Sequence, residues 1–510
     1  MKLNRLIRIG LLAFAGLAHA GTCLAVEEEG KAKKANTENE KAKAPEKSSK
    51  PAEKKTKVVA IVGADIITVT RETIRGGTLL VEDGKIKAMG TAVEVPEGAE
   101  VIDASGKYLA PGFVALSISR VGFNESQDSS ANHVDGLNPF DRNISLALGV
   151  GITSGCTNIN RPSKDRGATN FAPEGEVFPY TERFPGFDPD AAEIAKLEPA
   201  EDRAFGKYVQ VCKCCGLPIL NTAPIEPTKP TPISTRNSLV LKMSYGSLKG
   251  MLIAENRILD VSAGSLTGAL NQRNWREQFR LAREYLELQA KHERETASGK
   301  KTKPPRKPVS DDFLKLVKGE VALRVAADSQ SDIREMLDLA KELDYKIAIS
   351  GAAEAWTLAD EFSEADASVI FAPRVRRRPV FGKEDQTGTW IEMPRVLEEA
   401  GVPFATTSLS NSISLGGLAG RDLTSLPLEA AFAVRGGASE REALASITIV
   451  PATILGLQDR IGSLEVGKDA DILILNGQPL DYRTYVETAM VNGRVAYERA
   501  KARVLPVYEK

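Results

Sequence analysis

Histidine is almost missing from this chain of 510 residues, which has three: His19, His133 and His292. Neutral imidazole is the commonest protein ligand for transition metals and the usual proton carrier near neutral pH. A site assembled from several histidines therefore has no material here. Cysteine is nearly as scarce, with five in all, three of them within Cys212-Lys213-Cys214-Cys215. That spacing departs from the Cys-x2-Cys of structural zinc sites, which also need four ligands. The formal net charge is −1, so nothing points to nucleic acid or to an acidic membrane surface as partner. Neither a Gly-x-Ser-x-Gly elbow nor a phosphate-cradling glycine loop occurs, which removes the basis for serine-hydrolase and nucleotide-binding readings. The apolar run near the start, residues 9–17, is too short to span a bilayer.

What is present at the start reads as a leader. Lys2, Arg5 and Arg8 flank that run, and Ala18-His19-Ala20 supplies a small-x-small cleavage site. Residues 1–20 are expected to be a signal peptide, with an alternative cut after Ala25. The mature chain is then exported, periplasmic or secreted, where disulfides can form. Cys23 invites a lipoprotein reading, but the large aliphatic residue such signals usually carry before it is missing. Residues 26–57 are almost entirely Lys, Glu, Ala, Pro, Ser and Thr without apolar period, the composition of a disordered charged linker.

From residue 58 short apolar runs alternate with turns. Residues 58–62, 66–69, 78–81 and 86–89 read as strands, with Asp83-Gly84 as a hairpin turn. The far end has the same pattern, since residues 471–475 are strand-like and 489–491 pair with 494–497 across Asn492-Gly493. Two all-β pieces at opposite ends can form one sheet domain with the rest inserted. Between them, strand-like runs at 109–118, 321–325, 346–349, 368–371 and 402–405 are separated by helical stretches. Trp275, Phe279, Ala282 and Leu286 form one apolar stripe, and residues 332–343 and 440–446 give further helices. The fold class is α/β, and the alternation predicts a (β/α)8 TIM barrel. Residues 296–308 read as a surface excursion.

Three motifs carry a resemblance. Pro111-Gly112-Phe113-Val114-Ala115-Leu116-Ser117-Ile118-Ser119 resembles the first-strand Pro-Gly-Phe-(Ile/Val)-Asp-x-His-x-His of the amidohydrolase superfamily. Ile102-Asp103-Ala104-Ser105-Gly106-Lys107 precedes it. The stretch from Thr448-Ile449-Val450-Pro451-Ala452 through Leu455-Gly456-Leu457 to Arg460-Ile461-Gly462-Ser463-Leu464-Glu465-Val466-Gly467-Lys468-Asp469-Ala470-Asp471 is similar to the family's closing signature. The resemblance covers residues 58–497 and leans toward the imidazolonepropionase-like, exported branch. It implies a TIM barrel at 111–456 and a composite β-sandwich from 58–110 plus 457–507. It also implies one or two divalent metals, zinc among them, at the barrel mouth, held by His-x-His on the first strand, two more histidines and an Asp.

Carried onto this chain, those ligand positions are Ser117, Ser119, Ala326, Ser350, Ser408 and Leu409. A protonated hydroxyl is a poor zinc ligand, and methyl or isobutyl groups are none. The expectation is a metal-free pseudoenzyme without cofactor or catalytic residues, acting as a binding or scaffold protein for a small molecule. The alternative is an active hydrolase of non-peptide carbon–nitrogen bonds using other residues, such as Asp328, Asp332, Lys242 or the cysteines. A third reading makes the chain an inactive partner of an active homologue.

Other candidates divide similarly. Lys242 falls where some relatives carry a carboxylated metal-bridging lysine; a structural role is the simpler reading. His133 and Asp135 follow the first strand, and His292 lies among Lys and Glu at a helix end. Cys156 with one of Cys212, Cys214 or Cys215 could form a disulfide; free thiols and a metal site stay open. Arg374, Arg376, Arg377 and Arg378 follow a strand and could clamp an anion, or pair with Glu384 and Asp385 in solvent.

Overall fold

The computed structural model describes residues 58–123, 136–159, 209–211, 218–220, 237–383, 386–413 and 421–502. From the N-terminal side come β1 (Val58–Ile66), β2 (Ile74–Glu82), β3 (Lys85–Gly90), β4 (Glu100–Asp103) and β5 (Tyr108–Pro111). Residues 66–69 do not make a second strand. Register shifts on either side of Ala64 extend β1 to Ile66, and Val69 then leaves extended geometry with φ of 73°. The next elements are β6 (Phe113–Ile118), α1 (Arg142–Gly149), β7 (Ile152–Ile159), β8 (Val209–Val211), β9 (Pro218–Leu220), β10 (Asn237–Lys242), β11 (Leu252–Glu255) and β12 (Ile258–Val261).

A helical region follows: α2 (Ala269–Ala297), α3 (Asp311–Val317), β13 (Ala322–Ala327), α4 (Gln330–Leu343), β14 (Ile347–Gly351), α5 (Ala359–Glu364), β15 (Ser368–Phe371), α6 (Met393–Glu399) and β16 (Phe404–Thr406). The chain closes with α7 (Leu426–Arg435), α8 (Glu440–Ala445), α9 (Ile449–Ile454), β17 (Ile472–Leu475), β18 (Val486–Val491) and β19 (Arg494–Glu498). Local chemistry sets several of these boundaries. The Ser329 hydroxyl caps α4 by accepting from Asp332 N–H, and Asp344 ends it in the left-handed region.

The chain ends share one sheet in the order β19-β18-β17-β5-β1-β2-β3, with β4 beside β1. Its two hairpin tips meet: a Cβ on Gly493, whose φ is 70°, would fall 2.8 Å from the Gly84 Cα. Ala470 threads between them, donating to Gly84 O and accepting from Gly493 N–H. Asp-Gly and Asn-Gly are needed there because any larger residue would push the tips apart.

The inserted region is a mixed α/β fold. β12, β13, β14, β15 and β16 form a parallel sheet in chain order, and β6 runs parallel to β7. Period-two alternation divides their side chains. Leu323, Val325, Ile347, Ile349, Val369 and Phe404 pack outward against the helices, around Trp275, Phe279 and Phe313. Val114, Leu116, Cys156, Val240, Ile258, Ala348, Ile370 and Ala405 face a second core, so both sheets surround one interior.

Two features depart from a uniform parallel repeat. β10 runs antiparallel to β7, with Lys242 opposite Ser154. Between β16 and β6 the link is made by residues outside strands: Thr406 N–H donates to Ser446 O, and Val114 N–H to Ile447 O. The leader 1–20 and the linker 26–57 lie outside the described residues. Among the described residues, no helix is long and apolar enough to cross a membrane.

Candidate binding site at the strand ends

The Pro111-Gly112-Phe113 motif positions β6 by close approach. A Cβ on Gly112 would sit 1.9 Å from Thr153 Oγ1, so only glycine lets β6 lie this near β7. The register then shifts between Ala115 and Ile118, and within that shift Leu116 and Ser117 both line a cavity of about 640 Å³. Ser350, at the end of β14, and Ser408 and Leu409, just past β16, line the same cavity. Four of the six positions named by the resemblance are thereby brought together.

The other two stand apart. Ser119 is not among the lining residues; its N–H donates to Asn411 O at 2.7 Å. Ala326 is the register partner of Ser350 but is exposed, and it lines a neighbouring cavity of about 430 Å³.

The hydroxyls are held by local bonds. Ser350 Oγ donates to Val325 O at 3.2 Å, and Ser408 Oγ to Ser410 O at 2.7 Å. Ser117 Oγ accepts from Asn411 Nδ2 at 3.2 Å. As a metal cradle this set does not fit: neutral hydroxyls, a methyl and an isobutyl group offer no imidazole or carboxylate. Among the described residues no group of three His, Cys, Asp or Glu side chains is placed to hold a metal ion.

Arg324 contributes a fixed cation to the cavity wall instead. It projects from β13 and makes a two-point pair with Asp260 on β12, at 2.5 and 2.7 Å, while its third nitrogen donates to Leu116 O at 2.7 Å. Burial would lower the Arg324 pKa, but the Asp260 hydrogen bonds and charge more than offset this and hold it above its ordinary value. The guanidinium thus ties β6, β12 and β13 together beneath Ser117. Neither residue stands out in a motif, although each is a charge inside an apolar strand, Leu323-Arg324-Val325 and Leu259-Asp260-Val261. Such a charge must find a partner. Cys156, in the same interior, has no disulfide partner among the described residues, and burial pushes its thiol up to about 11. It is a poor nucleophile.

The arginine run splits into three environments. Arg374 pairs with the fully buried Glu429 at 2.6 Å and stacks on Phe432. Arg377 lines the cavity and pairs with Asp328, while Arg376 and Arg378 are exposed. The four guanidinium groups therefore do not converge on one point. Asp328 and Arg377 line both cavities and form the partition between them. Asp332 lies in the smaller cavity and accepts from Ser329 Oγ. Trp390, which also lines the larger cavity, packs edge-on against Trp356 at 5.1 Å, and Trp356 Nε1 donates to Gly388 O. Buried Glu354 accepts from Gly388 N–H at 2.7 Å and fixes the same loop.

Lys242 is far from this mouth. It sits beside Ser154, near the start of β7, fully buried, with Nζ at 2.8 Å from Asp469, 3.0 Å from Asp471 and 2.6 Å from Asn492 Oδ1. It joins the insert to the closing signature and cannot reach a metal at the other end of the strands. His292 Nδ1 shares a hydrogen bond with Thr302 Oγ1 on the exposed side of α2. His133, Asp135, Cys212, Cys214, Cys215, Glu384 and Asp385 lie outside the described residues.

Comparison with known proteins supports the kinship. Residues 383–497 match the amidohydrolase family model. That stretch includes Ser408, Leu409 and the closing signature around Asp471. A solved amidohydrolase from Thermotoga maritima MSB8 is similar over 86% of this chain and 100% of its own, at 21% identity and TM-score 0.54, which supports the common fold. Weaker likenesses include a molinate hydrolase (17% identity, 86% and 94% coverage, TM-score 0.42) and phenylurea hydrolase B (15% identity, 88% and 99%, TM-score 0.44). No curated protein sequence matches the chain.

Proposed function

We propose that the chain is an exported member of the imidazolonepropionase-like amidohydrolase branch that has given up its metal centre and binds a small molecule without turning it over. The carrying observation is the cavity itself: Ser117, Ser350, Ser408 and Leu409 stand where the resemblance expects ligands, and the cation in its wall, Arg324, is already paired with Asp260. The hydroxyls would have to ionise to bind a divalent cation well. In this reading the two sheets around one interior are a (β/α)8 barrel altered at β10, and the sheet from both chain ends is its composite β-sandwich. The leader residues support a periplasmic or secreted location.

Elemental mass spectrometry on the mature protein, purified without chelator or histidine tag, tests the reading. Substoichiometric zinc, iron, manganese and nickel are expected, with no hydrolysis of amide or urea substrates. Stoichiometric metal surviving dialysis, or turnover abolished by Asp328→Asn, would favour the active-hydrolase reading. Asp328 is the carboxylate at the cavity wall that such a mechanism would need. Co-purification with a histidine-complete homologue would instead make the chain a partner subunit.

A further inference from the structure

Helix α7, Leu426-Pro427-Leu428-Glu429-Ala430-Ala431-Phe432-Ala433-Val434-Arg435, is apolar on more than one side. Leu426, Ala430 and Ala433 are buried, and its one carboxylate, Glu429, is buried against Arg374. Leu428, Ala431 and Val434 fall on another stripe and are half-buried. A surface helix turns charges to water, whereas a helix apolar all round is covered. Two cavities of about 360 and 710 Å³ run along this second stripe, Leu428 lining the first, Val434 the second and Ala431 both. They also share Pro479, Leu480 and Asp481, and so form one groove between α7 and the segments 67–75 and 478–486.

The chain itself arrives at this groove. Arg499 N–H donates to Glu487 O, the Arg499 guanidinium lies 4.1 Å from the centre of the Tyr485 ring, and Ala502 packs on the cluster that holds Phe113, Leu475 and Val486. Those three side chains and Tyr485 line the groove. The sequence then continues Arg503-Val504-Leu505-Pro506-Val507-Tyr508-Glu509-Lys510, outside the described residues. Eight extended residues reach up to about 26 Å, and α7 spans about 15 Å, so this segment is long enough to run the length of the helix. Val504, Leu505, Val507 and Tyr508 are large and apolar, and Pro506 brings no N–H that an apolar groove would leave unpaired. We propose that residues 503–510 lie in this groove as a strap of the same chain. Alternate side chains of an extended segment share a face, which sets Leu505 and Val507 against Leu428, Ala431 and Val434. Tethered at the groove's rim, the segment has an effective concentration on the order of millimolar, which a second copy of the chain in dilute solution does not match. Nothing in this strap depends on what the cavity at the strand ends binds.

The test places the photocrosslinker p-benzoylphenylalanine at position 508, in place of Tyr508, in the full mature chain. Irradiation is expected to join it to α7 or to residues 67–75 or 478–486 of the same chain, as read by mass spectrometry after digestion. Leu428→Glu, which puts an unpaired charge in the groove, should cut that yield about tenfold or more while circular dichroism stays unchanged. A chain ended at Ala502 should give severalfold brighter 1-anilinonaphthalene-8-sulfonate fluorescence than the full chain, and excess synthetic octapeptide 503–510 should reverse the increase. Crosslinks between two chains would overturn the strap by making a second copy the occupant. Crosslinks elsewhere, none at all, or a yield indifferent to Leu428→Glu would overturn it as well, as would equal fluorescence from the two chains.

Discussion

The two ends of the β6–β7 pair make an instructive contrast. At the base, where the strands begin, the residues that carry the closing resemblance form a network of charges: Lys242 meets Asp469, Asp471 and Asn492, and Arg460 and Lys85 add to Asp469. At the mouth, the letters that the resemblance associates with chemistry are Ser, Ala and Leu, and the space opens into a cavity. A buried ionic network is tolerated only when complete, because one missing partner strands the others. The mouth is under no such obligation, since small neutral groups can be exchanged without orphaning a charge. One end of a strand can be committed to holding the fold while the other is left open as a cavity.

Breaking the base should cost most. Lys242→Met leaves Asp469 and Asp471 buried without their ammonium, and the expected loss is about 3–5 kcal/mol of stability by analogy with broken buried pairs. Denaturant titration measures it, and an unchanged midpoint would mean the network is ornamental. The same variant should change the acid limb. Burial alone would raise the Asp469 pKa, but Lys242 and Arg460 hold it below its ordinary value. A depressed folded-state carboxyl contributes stability above its unfolded pKa, lost as pH falls through the folded one. Lys242→Met should therefore cost most near neutral pH, and its deficit against the parent should shrink as pH falls through the acid range where the parent loses this contribution.

Arg324 brings some of the base's character to the cavity wall. Arg324→Leu is expected to destabilise by roughly 2–4 kcal/mol because Asp260 stays behind, while Arg324→Leu with Asp260→Leu should recover much of that. A thermodynamic cycle over the two singles and the double would read the coupling. Near-additive costs would show that Arg324 acts through Leu116 O and packing, not through Asp260.

How far could this be seen in advance? The end-built sheet was legible because Asp83-Gly84 and Asn492-Gly493 announce hairpins and the runs beside them have strand length. Alternating strands and helices in the middle were legible for the same reason. The reversal at β10 was not: Leu239-Val240-Leu241 reads identically in either direction, and direction is set by neighbours. The partners of Lys242 lie more than two hundred residues away, at Asp469, Asp471 and Asn492, so local pattern could flag a buried lysine but not its purpose. The cavity's hydroxyls were placed by resemblance alone; no periodicity singles out a serine. Arg324 and Asp260 were readable in principle, each being a charge within an apolar run, and the pairing follows once β12 and β13 are neighbours.

The smallest expected effects belong to the mouth. Ser117→His with Ser119→His restores two letters of the first-strand motif but leaves Ala326, Ser350, Ser408 and Leu409 as they are. Ser119 does not line the cavity, so the second imidazole would begin outside it. Stability should shift by about 1 kcal/mol or less, the range of substitutions that neither empty a core nor strand a charge. Neither stoichiometric zinc nor hydrolysis should appear, because a catalytic zinc site keeps three protein ligands beside its water. Elemental analysis and a thermal melt of this one variant address both halves of the contrast. A bound metal would show that the mouth still holds ligands among groups not yet credited, whereas a collapse in stability would show that its hydroxyls support the fold as firmly as Lys242 does at the base.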